Sequence, residues 1–343
     1  MHSYVGLDVS LEKTAICIVD GTGAAIKEGE VPSDPDEIDR FVRIHAPFVR
    51  RVGLESGPTS TWLWRELDQR GLPVICIDAR HAKAALAMQI NKSDRNDAIG
   101  IARIMQTGWF RKVQVKSERS HAIRGLLNSR ALLVKMLRDI ENQIRGLLKN
   151  VGLVIGRAKE GVFTRRVRAL LNEQPEMALI INPLLNARSD VAGHLRDVDR
   201  TTKKLASLDH QTRAFMTVPG IGPITALAFL AAIDDPARFH RSRTVGAYLG
   251  LTPRRHASGE VDWSGRISKC GDKIARSYLF AAAGVLLTRI GKWCKLKAWG
   301  MRVAKRSGGK KARVAVARKL AVLLHRMWRD GTHFEWNEVK PAM

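Results

Sequence analysis

The sequence predicts an α/β domain at the N-terminus, then a helical region with heptad periodicity, then a mostly helical region with a very basic end. Three observations support this division. Short apolar runs alternate with amphipathic segments in the first part, apolar residues follow three–four spacing in the second, and cations concentrate near the C-terminus. We place the domains at residues 1–110, 111–208 and 209–343.

The N-terminal domain opens with three predicted strands, Tyr4–Asp8, Ala15–Asp20 and Ala25–Val31, and a Gly21-Thr-Gly23 turn joins the last two. A helix over Asp36–His45 follows, capped by Ser33 or Asp34. The remaining elements are, in chain order, a strand ending at Glu55, a helix near Thr59–Arg70, a strand at Pro73–Asp78 and helices through Met105. Three meandering strands followed by strand–helix units is the order of an RNase H-like domain.

Four acidic residues stand at places suited to holding metal ions. Asp8 lies within the first strand, Glu55 ends a later one, and Asp94 and Asp97 lie where a helix begins. Spacing of three puts the last two carboxylates on one helical face. Hard cations such as Mg²⁺ or Mn²⁺ prefer oxygen ligands and leave positions for a substrate phosphate. The set therefore predicts a two-metal site at the carboxyl edge of a sheet.

A structural role for the same acids is the alternative. Asp94 can act as an N-cap, and Asp97 can interact favourably with the helix dipole. A carboxylate on an otherwise apolar strand, however, needs a partner that offsets its desolvation. Asp8 and Glu55 therefore favour the metal site when the four are considered together.

The charge balance points to nucleic acid. The chain of 343 residues carries 58 Lys and Arg against 33 Asp and Glu, a formal charge of +25, which favours a polyanionic partner over the small substrates of a metabolic enzyme. The longest apolar stretch, Tyr278–Leu287, is about half the roughly 20 residues of a membrane span. The first strand begins at once, so we expect neither a signal peptide nor a membrane location.

The four cysteines Cys17, Cys76, Cys270 and Cys294 are scattered and contain no C-x-x-C pair. This pattern argues against a zinc knuckle and a disulfide framework. We expect Cys17 and Cys76 to be small core residues and the compartment to be the reducing cytoplasm.

Apolar residues at heptad spacing predict an antiparallel coiled-coil hairpin or a dimerising arm in the middle region. The first stretch, interrupted by Arg130, and the second are joined by a Gly-containing connection. Their members are Ile123, Leu126, Leu133, Leu137, Ile140, Ile144 and Leu147, and then Leu184, Val191, Leu195, Val198 and Leu205. The alternative is a plain helical domain with a conventional core.

The last region begins with Val218-Pro-Gly-Ile-Gly222, a turn leading into a helix over Ile224–Ile233 that resembles a helix–hairpin–helix. A polar stretch, Thr252–Gly271, and an apolar helix, Ile274–Leu287, follow. The helical tail then carries eight cations and no acid within eighteen residues, which suggests contact with a nucleic-acid backbone. They are Arg302, Lys305, Arg306, Lys310, Lys311, Arg313, Arg318 and Lys319.

The polar stretch holds a second cluster of reactive residues. Ser258 precedes Gly259, which permits a tight turn and an exposed hydroxyl. Four nearby cations could hold a phosphate and stabilise developing charge: Arg254, Arg255, Arg266 and Lys269. His256 is also close. The residues themselves do not rank Ser258 above Ser264 or Ser268.

The acidic set, the Val218-Pro-Gly-Ile-Gly motif and the Gly250-Leu-Thr-Pro-Arg-Arg…Ser258-Gly…Ser268-Lys-x-Gly271-Asp block together resemble the insertion-sequence 110 family of transposases. The resemblance covers nearly the whole chain in the same order. It implies a RuvC-like domain with an Asp-Glu-Asp-Asp tetrad, a coiled coil and a helical transposase domain with a catalytic serine. Asp8, Glu55, Asp94 and Asp97 correspond to that tetrad and Ser258 to the nucleophile. The segment Glu260-Val-Asp-Trp263 is more acidic and aromatic than the family leads us to expect.

The resemblance further implies a structured bridge RNA that pairs with donor and target DNA, and a homo-oligomer, either a dimer or a tetramer, acting at the nucleoid of a prokaryotic cytoplasm. We expect a site-specific recombinase that forms a phosphoserine intermediate with Mg²⁺ or Mn²⁺ assistance and needs no ATP, since no P-loop is present. Because the heptad arm separates the tetrad from Ser258, we expect a composite site from two protomers. The rivals are a metal-only nuclease or Holliday-junction resolvase, and a non-catalytic nucleic-acid scaffold.

Overall fold

A computed structural model of the chain describes residues 2–87, 93–158 and 160–336. The chain divides into two units, Met1–Lys116 and Ser117–Met343. The first unit is a mixed α/β structure and the second is mostly helical, as the sequence predicts. The further boundary near residue 208 stays a prediction.

Apolar runs of the N-terminal unit form one five-stranded sheet. Its strands are β1 (Ser3–Val9), β2 (Lys13–Val19), β3 (Ala25–Pro32), β4 (Val49–Glu55) and β5 (Val74–Ile77). They lie in the order β3-β2-β1-β4-β5. The meander β1–β2–β3 is antiparallel, whereas β4 runs parallel to β1 and β5 runs parallel to β4. The carboxyl ends of β1, β4 and β5 therefore share one edge.

Four helices cover the two faces of this sheet: α1 (Pro35–His45), α2 (Ser60–Gln69), α3 (Ala79–Leu86) and α4 (Asp94–Thr107). Alternation along β1 sends Val5 and Leu7 to the face packed by α1 and α2. Tyr4 faces the other side, where α3 and α4 pack. Helix α1 begins after Asp34, whose carboxylate accepts hydrogen bonds from the backbone N–H of Asp36 and Glu37.

The predicted core cysteines of this unit are confirmed. Cys17 and Cys76 are both buried in the sheet. Burial raises the pKa of each thiol to about 11, because an apolar surrounding disfavours the thiolate. Both are therefore neutral packing groups at physiological pH.

Two long helices, α5 (Glu118–Asn150) and α7 (Pro175–Leu208), open the second unit. They run antiparallel, since Arg130 pairs with Asp199 at 2.6 Å and Glu141 pairs with Arg188 at 2.7 Å. Between them lies α6 (Glu160–Leu171), where the sequence predicts only a Gly-containing connection. Phe163, Val167 and Leu171 of α6 pack with α5 and α7 into a small core.

The side chains at the predicted heptad positions of α5 and α7 differ in how deeply they are buried. Ile123, Ile144 and Val191 are buried, but Leu205 is 40% exposed. Two further apolar residues of α5 outside the predicted stripe, Leu132 and Met136, are also exposed. The helices thus pack partly against α6 and the following core, and coiled-coil pairing stays a prediction.

The remaining helices enclose a second, larger core. They are α8 (His210–Met216), α9 (Pro223–Ile233), α10 (Val245–Tyr248), α11 (Lys273–Thr288), α12 (Lys295–Ser307) and α13 (Gly309–Asp330). Helix α9 is apolar on every side and buried along most of its length, so it forms the centre of this core. Between α10 and α11 the strands β6 (Pro253–Ser258) and β7 (Val261–Ile267) form a hairpin. Over the residues described, no helix has the length and apolar character to cross a membrane.

Candidate functional site

Two of the acids, Asp8 and Glu55, lie on neighbouring parallel strands at the same edge of the sheet. The register of β1 and β4 pairs Gly6 with Gly53 and Leu7 with Leu54, so Asp8 and Glu55 follow at matching positions. Each acid stands two residues beyond its glycine and so points to the face that α4 covers. Both side chains are half-buried.

Helix α4 lies directly on that face because the two glycines admit it. A Cβ atom on Gly6 would lie 2.1 Å from the carbonyl oxygen of Ala98, and one on Gly53 would lie 2.5 Å from Cγ of Met105. The end of α4 is near the start of β4, since Arg51 donates a hydrogen bond to the carbonyl oxygen of Met105 at 2.7 Å. Helix α4 therefore runs antiparallel to β1 and β4, with its first turn at their carboxyl edge.

Asp94 and Asp97 occupy that first turn. They precede Ala98 and Ile101 by one helical turn each and so continue the sheet-facing stripe of α4. Asp94 and Asp97 lie four helical residues, about 6 Å, before the α4 residues that contact the glycines. Asp8 and Glu55 lie two strand residues, about 7 Å, beyond the glycines themselves. Both pairs of acids therefore extend a similar distance past the contacts between helix and sheet. The backbone thus directs all four acids toward the same edge of the sheet, and their role as one site stays a prediction.

The alternative role of Asp94 as N-cap is wrong. Ser93 caps α4, and its hydroxyl accepts a hydrogen bond from the backbone N–H of Asn96 at 3.2 Å. Asp94 is exposed and Asp97 half-buried within the helix itself. Arg95, which lies between them, pairs with Glu28 of β3.

A fifth acid at this edge, Asp78, follows β5 and was not singled out from the sequence. Its carboxylate caps α3 through the N–H of Arg80 and pairs with the guanidinium of that residue at 2.8 Å. The hydrogen bond from the Arg80 side chain lowers the pKa of Asp78 to about 2. Side chains alternate between the two faces of a sheet, and Glu55 pairs with Ile77, the residue before Asp78. The Asp78 side chain therefore points to the face opposite Glu55. Asp78 is thus a structural acid beside the other four.

The donor types at this edge fit Mg²⁺ or Mn²⁺, which prefer carboxylate oxygens. Within residues 2–87, 93–158 and 160–336, however, no three His, Cys, Asp or Glu side chains form a ready-made metal-binding group. The arrangement thus fixes the position of the acids through the backbone, and a metal-loaded geometry stays a prediction.

Ser258, the predicted nucleophile, is the last residue of β6 and is exposed at the end of the β6–β7 hairpin. Gly259 takes a positive φ of 55° in the turn, a conformation that glycine adopts without strain. The register pairs Ser258 with Val261 and His256 with Trp263, so these side chains share one face. The His256 and Trp263 rings stack at 4.3 Å between centroids.

The four cations predicted around Ser258 separate. Arg255 alternates to the opposite face of the hairpin, where it pairs with Asp262 at 2.6 Å. Arg254 donates a hydrogen bond to the carbonyl oxygen of Ser268 at 3.3 Å. Arg266 and Lys269 instead line a groove between the hairpin and α13.

This basic groove has a volume of about 1370 Å³ and includes Lys310 and Lys311 of the predicted tail contacts. Eight cations and no acid line it among the described residues. Its floor is apolar and includes Trp299, Val314, Val322 and Leu323. The other cations that line the groove are Arg243, Arg318, Lys319 and Arg326.

Two of these groove cations, Arg243 and Arg326, were missed from the sequence. A signal existed for Arg326, because Lys311, Lys319 and Arg326 recur at spacings of seven to eight, which places them on one face of α13. Other predicted contacts lie outside the groove: Arg302, Lys305 and Arg306 are exposed on α12, and Arg313 extends along Gly284 of α11.

Comparison of the sequence with known proteins identifies its family. Residues 212–298 match the model described as Transposase IS116/IS110/IS902 family, and residues 5–152 match the DEDD transposase model of the same group. A transposase for insertion sequence element IS1111A from Coxiella burnetii is 30% identical over 327 residues, covering 93% of this chain and 88% of that protein. The chain belongs to the IS110 family of transposases.

Two more relatives of this transposase span different lengths. The transposase for insertion sequence element IS1328 of Yersinia enterocolitica is 27% identical over 303 residues, 87% of this chain and 89% of the relative. A pilin gene-inverting protein of Moraxella bovis is 30% identical over 130 residues, 37% of this chain and 40% of the relative. The predicted family and the predicted enzyme class, a DNA transposase or recombinase, are confirmed.

Proposed function

We propose that this transposase moves its insertion sequence by RNA-guided, site-specific recombination through a phosphoserine intermediate. The observation that carries the proposal is the sheet register Gly6–Gly53 beneath α4, which brings Asp8, Glu55, Asp94 and Asp97 to one edge. The exposed Ser258 at the end of a hairpin supplies the second chemical group.

We assign the N-terminal unit to the RNase H-like, RuvC-like class. The strand order β3-β2-β1-β4-β5, with an antiparallel meander and two parallel additions, supports this assignment. In such sheets acids at the carboxyl edge of the central strand lie next to acids of a neighbouring strand and a covering helix. Asp8 of β1, Glu55 of β4 and Asp97 of α4 have these positions.

Cleavage in this proposal is a transesterification. The Oγ atom of Ser258 attacks a DNA phosphorus, the new Oγ–P bond replaces the P–O3′ bond, and the hydroxyl proton passes to the departing 3′ oxygen. The free 3′-OH of one strand then attacks the phosphoserine of its partner strand and releases Ser258. The number of phosphodiester bonds is conserved, so no ATP is needed.

Asp8, Glu55, Asp94 and Asp97 would hold the metal ions in this mechanism. Mg²⁺ or Mn²⁺ bound there would neutralise charge on the non-bridging phosphate oxygens. The chain itself orients the phosphate with cations, and Arg254, which is near Ser258 in sequence, is suited to this role. Arg255 is less suited because Asp262 already neutralises it on the other face of the hairpin.

The family resemblance adds a structured bridge RNA that selects donor and target DNA at the nucleoid. The charge of +25 is compatible with either nucleic acid. Purified protein should retain a discrete RNA encoded beside its own gene, and RNase treatment should abolish recombination. Recombination from protein and DNA alone, at unchanged efficiency, would contradict RNA guidance.

We also propose a dimer or tetramer joined through the α5–α7 arm as a coiled coil. The ion pairs Arg130–Asp199 and Glu141–Arg188 join the two antiparallel helices of this arm at two places. Exposed apolar side chains on it, including Leu132 and Met136, offer area that a second chain could bury.

The alternative function is a metal-only nuclease or Holliday-junction resolvase, which needs the acids but no serine. Covalent trapping distinguishes the two. Wild-type protein incubated with labelled DNA, bridge RNA and Mg²⁺ should yield a denaturation-resistant protein–DNA adduct, and Ser258→Ala should yield none while still binding DNA. Ser268→Ala, which removes the hydroxyl of a serine just after the same hairpin and outside the groove lining, should keep the adduct. An adduct that persists in Ser258→Ala would refute the assigned nucleophile, and cleavage without any adduct would favour the alternative.

A further inference from the structure

The basic groove between the β6–β7 hairpin and α13 combines a cationic surface with an apolar one. Cations such as Lys310, Lys311 and Arg266 form its rim, while Val314 and Val322 belong to an apolar floor. A solvated cationic face needs no apolar concavity beside it. The combination therefore indicates an occupant with a charged backbone and flat apolar faces.

We propose that this groove binds single-stranded DNA, with phosphates on the cationic rim and unpaired bases against the apolar floor. Proteins that bind single strands combine a positively charged groove with aromatic side chains on which bases stack, and the floor of this groove includes Trp299. The groove volume of about 1370 Å³ exceeds the roughly 300–1,000 Å³ of small-ligand pockets. It has the size for a short segment of polymer.

Duplex DNA matches only half of these features. Its bases are stacked and paired, so it presents phosphates and base edges but no free base faces. A duplex would leave the floor around Val314 and Val322 uncovered. An unpaired strand covers both surfaces. We take this strand to be DNA because the groove continues into the hairpin that carries Ser258, the proposed nucleophile for DNA.

The groove continues into the hairpin that carries Ser258. Residues Ser264 to Ile267 of β7 form part of its wall, and Val261, the register partner of Ser258, lies three residues or about 10 Å further along the strand. A strand held in the groove can thus extend toward the Ser258 hydroxyl. This inference rests on the proposed function, because it takes the bound strand to be the one that Ser258 cuts.

Fluorescence anisotropy with full-length Ser258→Ala protein tests the inference without cleavage. The probes are a labelled single strand of about 15 nucleotides, the matching duplex and the RNA of the same sequence. We expect the single strand to bind at least tenfold more tightly than the duplex. Lys310→Ala/Lys311→Ala should weaken single-strand binding about tenfold and reduce the slope of log K against log salt by about 1.4, or about 0.7 for each lost phosphate contact.

The matched control is Lys203→Ala/Lys204→Ala, which removes two exposed charges from α7 outside the groove. It should leave the single-strand preference and the slope nearly unchanged. A second variant, Val314→Thr/Val322→Thr, keeps side-chain shape but makes the floor polar. Both valines are half-buried and outside the buried core cluster, so the fold should persist. This variant should weaken single-strand binding several-fold without changing the salt slope or duplex binding.

Equal affinity for single strand and duplex, or a floor variant without effect, would overturn the proposal and leave a purely electrostatic surface. Tighter binding of the RNA, lost on the same groove substitutions, would reassign the groove to RNA. Displacement of the single strand by poly-glutamate at equal charge concentration would reassign it to an acidic protein segment. If wild-type protein forms no covalent adduct but the single-strand binding results are as expected, Ser258 is not the nucleophile and the proposal for the groove is retained.

Discussion

Gly6 of β1 lies so close to Ala98 of α4 that a Cβ atom at Gly6 would stand 2.1 Å from the Ala98 carbonyl oxygen. Backbone atoms cannot move aside as a flexible side chain does. The contact therefore fixes the height of α4 above the sheet and, through it, the distance between Asp8 and the first turn of α4. Gly6, which has no reactive group, thus lets α4 lie close enough to the sheet to carry Asp94 and Asp97 toward the edge where Asp8 and Glu55 lie.

Gly6→Ala should consequently damage both stability and activity. Overpacking of this kind typically lowers the free energy of unfolding by about 1–3 kcal/mol, and here the clash is with backbone. Thermal unfolding and strand-cleavage rates measure the two effects. The control is Gly21→Ala in the β2–β3 turn, where nothing lies within 4 Å of the added atom. A Gly6→Ala protein as stable and active as the control would show that α4 adjusts freely.

Neutralising any one of the four acids should remove metal binding. Mg²⁺ or Mn²⁺ at 100 times its dissociation constant should stabilise the wild type by about 2.7 kcal/mol. Asp8→Asn, Glu55→Gln, Asp94→Asn and Asp97→Asn should each lose this shift, as measured by differential scanning fluorimetry with and without EDTA, and should lose cleavage activity.

The matched control for these substitutions is Asp78→Asn at the same sheet edge. Asparagine caps a helix as well as aspartate does, so the variant should lose only the ion pair with Arg80, about 0–1 kcal/mol, and should keep the metal-induced shift. Equal loss of the shift in Asp78→Asn and Asp8→Asn would contradict the assignment of the metal ligands.

His325 should make the stability of the C-terminal unit depend on pH. The ring is fully buried, its Nδ1 lies 2.9 Å from the Ser242 hydroxyl, and its Nε2 lies 3.0 Å from the Pro236 carbonyl oxygen. Burial lowers the pKa of this histidine below its usual 6.5, which favours the neutral ring in the folded state.

The unfolded chain then takes up a proton first as pH falls. The neutral His325 ring therefore contributes its full stabilisation above about pH 6.5. This contribution declines as the pH falls toward the lower pKa that His325 has in the folded protein. His325→Gln should therefore cost more stability near pH 8 than near pH 5.5 in denaturant unfolding. A loss that is the same at both pH values would contradict a neutral buried imidazole.

Mixing two inactive proteins tests where the active site is assembled. If the tetrad of one protomer serves Ser258 of another, Asp8→Asn and Ser258→Ala proteins together should recover part of the cleavage activity. Mixed assemblies would then contain one intact site. An inactive mixture, in which tagged chains demonstrably exchange, would show that each chain completes its own site.

The sequence predicted most strands of the first unit because helices cover both faces of the sheet, so that β1, β2, β4 and β5 are largely apolar runs. Tyr4–Asp8 and the strand ending at Glu55 were recognisable from apolar runs. The sequence left Ser33 and Asp34 open as caps of the first helix, and the structure has Asp34. The close contacts of Gly6 and Gly53 with α4 were not recognisable, since a glycine in a strand gives no indication of what lies above it.

The β6–β7 hairpin was missed for a physical reason. All six residues of β6 are exposed, so no apolar–polar alternation marks the strand. Helix α6 was missed because Gly152, Gly156 and Gly161, before and at its start, are typical of a loop. The basic groove is formed by β7, α12 and α13 together, so the sequence of one element does not reveal it. Only the cations on α13 show a helical spacing that the sequence could have indicated.

The most direct test of the account is to locate the attached nucleotide on the protein. Wild-type adduct, formed with bridge RNA, Mg²⁺ and DNA, would be digested with nuclease and protease and analysed by tandem mass spectrometry. The account predicts a nucleotide phosphate on the Ser258 side chain, with the 5′ phosphate of the DNA retained and a free 3′-OH released. Attachment to Ser264 or Ser268, or complete strand transfer with no modified peptide, would contradict it.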